Sequence, residues 1–270
     1  MKIEVLVATV GQSDLSLYEK MNLQGDAVIA NQCGEWGYRE ASFEKGSAKM
    51  LSTATKGIGV NRNLALELSK GDVLVFADDD MVYYDGFAES IEKAFRQHPD
   101  ADMIFFGLDY TKNGEIIDKR RCKPRRVRLW NSFQYGACRL AVKRSSVNKR
   151  NIRFSTLFGG GTQYGSGEDT LFIRDCFRKG MRAYAVDLVP GVTEKGSSTW
   201  FEGYNEKYVF DKGAMLACAF PKGKQMIKWY FVWRYSSETG FSFRKTLRLL
   251  NRGMSAFKEQ KPYCVVSTKT

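Results

Sequence analysis

The sequence predicts an α/β fold: a mostly parallel central sheet flanked by helices, followed by a C-terminal basic helical appendage. Three observations predict it. Apolar, β-rich runs alternate with helix-period stretches through residues 3–108, the pattern of successive strand–helix–strand units. Most of those runs stop at Gly or a polar cluster, as strands buried on both faces do. From residue 222 the composition turns aromatic and basic.

The elements follow in order. Residues 3–9 (IEVLVAT) read as a first strand ending near Gly11, and residues 26–32 (DAVIANQ) as a second that stops at Cys33-Gly34. Residues 57–70 (GIGVNRNLALELSK) place Val60, Leu64, Leu66 and Leu68 at helical spacing, with Gly71 as the stop. Residues 72–77 (DVLVFA) are another strand, ending in Asp78-Asp79-Asp80. Residues 85–97 put Phe87, Ile91, Ala94 and Phe95 on one side of a helix that Pro99 ends, and residues 102–108 are again strand-like. In such sheets ligands bind beyond the carboxyl ends of the strands. Thr9, Gln32 and Asp78 to Asp80 should therefore share one crevice. Farther on come a hairpin turn at Lys112-Asn113-Gly114, a basic run at 119–128 and a Gly-rich stretch at 158–167. Glu168-Asp169 then precede a helix over 170–180. The expected division is a domain of residues 1–221 and a tail of 222–270.

Composition narrows the class. With 270 residues, 43% apolar and 27% charged, the chain is neither collagen-like, nor a disulfide scaffold, nor wholly disordered. Six cysteines without a CxxC pair, and a single His98 followed by Pro99, argue against a zinc site and for reduced thiols in the cytosol. The opening MKIEVLVATV reads as a strand, not a signal peptide. No window approaches the roughly 18–20 apolar residues of a membrane span.

Three motifs carry chemistry. The triplet Asp78-Asp79-Asp80 repels itself unless cations or donors offset it. Hard oxygen ligands at a strand end suit Mg²⁺ or Mn²⁺ on a diphosphate; a solvated acidic turn accounts for the triplet equally well. Lys56 to Asn63 (KGIGVNRN) opens a helix, where backbone N–H groups and Arg62 favour phosphate; alternatively Arg62 is a surface residue and Asn63 a packing one. Gly165 to Thr170 (GSGEDT) sets two acids after a flexible loop, suiting a general base or simply a helix N-terminus.

The order of these pieces resembles family 2 glycosyltransferases of the GT-A, Rossmann-like fold, over residues 2–200. The resemblance rests on the opening strand to Thr9, the Asn61-Arg62-Asn63 helix start, the strand ending Ala77-Asp78-Asp79-Asp80, and Gly167-Glu168-Asp169 before a helix. The pair Asn31-Gln32 is similar to a subgroup acting on bacterial surface polysaccharides. The resemblance implies Thr9, Gln32, Lys56, Gly57, Arg62, Asp78 and Asp79 around a nucleotide-sugar donor. It implies a divalent Mn²⁺ or Mg²⁺ on Asp80, paired with Asp78 in a D-x-D reading. It makes Asp169 the catalytic base, with Glu168 its neighbour, in an inverting transfer to a glycan or lipid-linked acceptor. UDP is the nucleotide the family suggests. A late His that many members carry is absent: the matching stretch begins Thr193-Glu194-Lys195, so either Glu194 substitutes or the metal relies on aspartates, diphosphate and water. Trp130, Tyr164, Gly167 and Trp200 are candidates for the acceptor or sugar pocket; ordinary packing is the alternative for each aromatic.

The net charge of +12 is unevenly placed. Residues 119–128 hold seven cations and no acid, and residues 222–261 carry a net +8. The remaining chain sums to −3, so an almost neutral body bears one basic loop and one basic tail. Aromatics interleaved with the tail's Lys and Arg suit an anionic membrane surface, placing the protein peripherally on the inner face of a cell membrane. A nucleic-acid- or membrane-binding protein without catalysis would explain the charge but not the acidic motifs, and no RNA-binding motif is present. A sugar-nucleotide nucleotidyltransferase would need a Gly-rich N-terminal loop with a downstream Lys, which is missing.

Overall fold

The computed structural model describes residues 1–194, 203–221, 224–260 and 263, with backbone alone for 224–226. The chain gathers into two compact units. The first comprises residues 1–56, 60–154 and 172–198, and the second residues 57–59, 155–171 and 199–270.

The strands and helices, in chain order, begin with β1 (Ile3–Val10), α1 (Leu17–Lys20), β2 (Asp26–Gln32), β3 (Gly37–Phe43), β4 (Gly46–Thr53) and α2 (Ile58–Leu68). Next come β5 (Val73–Asp78), β6 (Met81–Tyr83), α3 (Phe87–Gln97), β7 (Met103–Phe105), β8 (Leu108–Lys112) and β9 (Glu115–Arg120). Then follow β10 (Arg125–Val127), β11 (Leu140–Lys143), α4 (Arg144–Lys149), α5 (Glu168–Arg178), β12 (Ala183–Ala185) and β13 (Gly191–Glu194). Helices α6 (Glu206–Ala219), α7 (Lys224–Thr239) and α8 (Phe243–Lys258) close the described chain.

In the first unit the central sheet runs β10-β12-β7-β11-β5-β1-β2-β4-β3. Its middle, β4-β2-β1-β5, is parallel; the apolar runs predict β1, β2 and β5 of these. Along these strands successive residues feed opposite faces. Val5, Val7, Ile29, Val73 and Val75 enter a core with Phe87, Ile91 and Phe95 of α3. Leu6, Val28, Leu74 and Phe76 enter another with Leu66 of α2 and Phe172 and Ile173 of α5. Each such side chain, buried, stabilises by about 1.5–3 kcal/mol.

The sheet is more mixed than expected. β11 lies antiparallel between β5 and β7, β10 antiparallel on β12, and β3 antiparallel on β4. The reason is local: β3 (GYREASF) is a largely exposed edge strand with charged residues, so it has no apolar run to betray it. A smaller sheet, β6-β13-β8-β9, stands beside the central one. The chain passes from β5 in the first sheet to β6 in the second through Asp79 and Asp80. The β8–β9 hairpin turns at Asn113-Gly114, both at positive φ (53° and 80°), as the sequence indicates.

In the second unit α6, α7 and α8 pack around Phe210, Val232, Tyr235 and Leu250, with Phe158 and Tyr164 from the Gly-rich stretch. Helices α6 and α8 cross at backbone contact. A Cβ on Gly253 would fall 1.9 Å from the Phe210 carbonyl oxygen, and one on Gly213 2.2 Å from that of Leu250. Residues of the basic tail are thus packed on the helix just before them. Among the described residues no helix is long and apolar enough to cross a membrane.

Candidate active site

The carboxyl ends of β1, β2 and β5 bring the first set of motif residues together. Register places Ala8 opposite Asp78 and Thr9 opposite Asn31. The Thr9 hydroxyl donates to Asp79 Oδ2 at 2.5 Å. Arg62 Nη2 lies 2.9 Å from Asp78 Oδ1, and the Cys138 thiol donates to Asp78 Oδ2 at 2.8 Å. The acidic triplet is therefore offset by donors from three separate segments, which is how a folded chain tolerates adjacent carboxylates.

The Asn61-Arg62-Asn63 helix start is a brace. Asn61, buried, donates to the carbonyls of Thr9 and Ala30 at 3.1 and 2.8 Å, joining α2 to the ends of β1 and β2. Asn63 pairs with both backbone groups of Phe154. Arg62 is no surface residue: its side chain is 4% exposed and directed at Asp78. Asn31 holds the backbone of Gln12 and the hydroxyl of Ser52. Gln32, also buried, reaches Thr55 at 3.4 Å. Lys56 is exposed.

These contacts bear on the expected pairing of Asp78 with Asp80 as metal ligands. Both Asp78 oxygens are engaged, by a guanidinium and a thiol. Glu194 is likewise committed: it accepts from the Thr111 hydroxyl at 2.6 Å and the Asn113 amide at 2.8 Å. Those donors, the hydroxyl first, hold its carboxyl below the ordinary range, and it braces the β8–β9 turn. Among the described residues no cluster of three or more His, Cys, Asp or Glu is placed to hold a metal. The acidic turn offers hard carboxylate oxygens at a strand end, Asp80 among them. That donor set fits Mg²⁺ or Mn²⁺ whose shell is completed by a substrate diphosphate and water, not a metal caged by protein alone.

In the second unit the Gly-rich stretch leads into α5. Asp169 stands in the first turn of α5, half-buried, and Glu168 Oε2 accepts from the Gly167 amide at 3.1 Å. Asp211 of α6 secures the loop from below: its Oδ2 accepts from the Gly165 amide at 2.8 Å and pairs with Lys207 at 2.5 Å. Burial pushes the Asp211 carboxyl up, and Lys207 works against that. Burial pulls the Lys212 amine down, with Glu168 opposing.

Several of the expected site residues are closely packed. Tyr164 is 2% exposed and stacked on Phe158 at 4.8 Å; a ring sealed in the core offers no face to a sugar. Gly167, at φ 120°, lies where a Cβ would meet Met215 Cγ at 2.7 Å. Gly57, at φ 105°, lies equally close to Thr162. Both glycines are explained by close packing. Trp130 does fit a platform: it is 69% exposed, with the Arg128 guanidinium 5.3 Å from its ring. Trp200 lies outside the described residues. Sequence reasoning missed Cys138 and Asp211, since nothing in the local pattern around either one marks it.

The fold is of the GT-A type. A crystal structure of S. aureus TarS 1–349 in complex with UDP-GlcNAc aligns over 97% of this chain and 93% of that one, at TM-score 0.62 and 13% identity. TarS 1–349 in complex with UDP aligns over the same shares at TM-score 0.55 and 13% identity. The longer S. aureus TarS structure aligns over 80% of this chain and 39% of that one, at TM-score 0.57 and 15% identity. At such identities the likeness establishes the fold. No curated protein matches the chain in sequence. The model of glycosyl transferase family 2 matches residues 37–155.

Proposed function

We propose that the chain transfers a sugar from a nucleoside-diphosphate donor, a UDP-sugar, to a hydroxyl of a glycan or lipid-linked acceptor, with inversion, in bacterial cell-wall or capsular polysaccharide synthesis. The observation that carries this reading is the donor-offset acidic turn at the end of β5, where Thr9 holds Asp79 and Arg62 with Cys138 hold Asp78. It stands on a fold whose TarS relatives are crystallised with UDP-GlcNAc and UDP.

In this reading the exposed Lys56 and the Thr9–Asp79 pair meet the donor, with Gln32 beside them. The Arg62–Asp78 pair holds the end of β5 in place. Asp80 would hold a divalent ion, which when bound supplies positive charge against the diphosphate. Asp169 takes the proton from the acceptor hydroxyl, and Glu168 fixes the start of α5. A carboxylate serves as base at neutral pH because it is ionised and positioned beforehand. Trp130 offers a face to the acceptor. The basic tail holds the enzyme at the inner face of the membrane.

Thermal stabilisation by UDP with Mn²⁺, lost in Asp80→Ala, tests the donor site. A screen of sugar nucleotides by product mass spectrometry identifies the donor. Asp169→Asn should abolish transfer while UDP stabilisation persists; retained turnover places the base elsewhere.

A further inference from the structure

The basic tail folds into a surface that the sequence does not display. On α7 the rings of Trp229, Tyr230 and Trp233 are 57, 48 and 63% exposed, while Phe231, Val232 and Tyr235 on the same helix are buried. Tyr230 and Trp233 lie 6.4 Å apart, forming one apolar patch. On α8, Arg244, Arg248 and Arg252 recur every four residues and line a groove of about 580 Å³ with Asn251 between the last two.

The two features meet at Lys228. Its ammonium is 3.2 Å from Asn251 Oδ1 and 5.7 Å from the Trp229 ring. One residue thus joins the aromatic patch of α7 to the arginine face of α8. Phe243, also exposed, precedes Arg244. Glu259 lines the far end of that groove, and Glu206 of α6 pairs with Lys245 beside the arginines.

We propose that this joined face of α7 and α8 docks on an anionic phospholipid surface, with Trp229, Tyr230 and Trp233 entering the headgroup boundary and Arg244 and Arg248 meeting lipid phosphates. This deepens the membrane reading above and is independent of the assignment of Asp169. Charge complementarity selects the anionic partner. The exposed indoles select lipid over a soluble polyanion, because a polyanion leaves three large rings in water whereas a bilayer interface accommodates them. Among the described residues neither helix is long and apolar enough to cross a membrane, so the proposed attachment is interfacial.

The test uses the full chain with phosphatidylcholine vesicles, with and without phosphatidylglycerol. Binding should require phosphatidylglycerol, weaken with salt and shift tryptophan emission to the blue. A basic side chain near such a surface is worth about five-fold in partition, so Arg244→Gln with Arg248→Gln should weaken binding about 25-fold. Trp229→Ser with Trp233→Ser should remove most of the emission shift. UDP stabilisation, unchanged in both variants, reports that they fold and separates this result from failure of the donor site. Equal binding to neutral vesicles, or binding that survives both pairs of substitutions, overturns the proposal. So does polyphosphate binding of equal strength with no emission shift on vesicles, which would make the occupant a soluble polyanion.

Discussion

Asp78 joins Arg62 and Cys138 at the end of β5, and its removal has a calculable consequence. In Asp78→Ala the Arg62 guanidinium, 4% exposed, loses its ion pair with this carboxylate. Removing one partner of a fully buried pair costs about 3–5 kcal/mol, and an exposed pair contributes about 0–1 kcal/mol. Asp78 is 41% exposed, so water screens its end of the pair. A cost of about 2 kcal/mol is expected between those limits, about a 30-fold change in the folded-to-unfolded ratio. Urea unfolding of the wild type, Asp78→Ala, Arg62→Met and the double variant completes a cycle, read from midpoints at constant slope. The coupling should be about 1–2 kcal/mol, and additivity within about 0.5 kcal/mol would refute the pairing. A second arm addresses the metal. Stabilisation by UDP with Mn²⁺ should survive in Asp78→Asn and disappear in Asp80→Ala. Equal loss in the two variants would make Asp78 a metal ligand and sink the reasoning.

Three further outcomes are expected. Glu194 has a depressed carboxyl, held first by the Thr111 hydroxyl and then by the Asn113 amide; its support of the hairpin is present above the ordinary carboxylate value and lost as pH falls through its lowered one. NMR titration should show that depression, and an ordinary value in Thr111→Val would still permit the amide bond, whereas an ordinary value in the wild type refutes the brace. Tyr164→Ala should cost about 3–5 kcal/mol of stability as a core deletion. Trp130→Ala should cost under about 0.5 kcal/mol and appear instead as a raised acceptor KM; the reverse pattern would exchange their roles. Gly253→Ala should destabilise by about 1–3 kcal/mol or more, since its Cβ meets a backbone oxygen of α6, and an unperturbed midpoint would contradict that crossing.

How much of this was legible in the sequence varies by element. β1, β2 and β5 are long apolar runs buried on both faces, so composition alone marks them. Helix α3 shows its period plainly because one face is apolar and the other charged. β3 and β4 went unread because their pairing is settled by a turn and an edge position, not by a buried run. In the site, Thr9, Asp79 and Arg62 were legible as residues at strand ends or a helix start. Cys138 was not, because it arrives 60 residues after Asp78 through a short 3₁₀ turn.

By itself the sequence determined the α/β class, the place of the acidic turn, the Glu168-Asp169 helix start and the segregation of positive charge. These follow from local pattern, since periodicity, turn residues and charge act along the chain. The tertiary structure decided which carboxylates are already committed, that Tyr164 and Gly167 belong to packing, and that the aromatic and arginine faces of the tail meet at Lys228. Those are contacts between residues distant in sequence. Hydrogen-bond reach and burial exist only once the backbone has brought the partners within a few ångströms, and no local pattern encodes that distance.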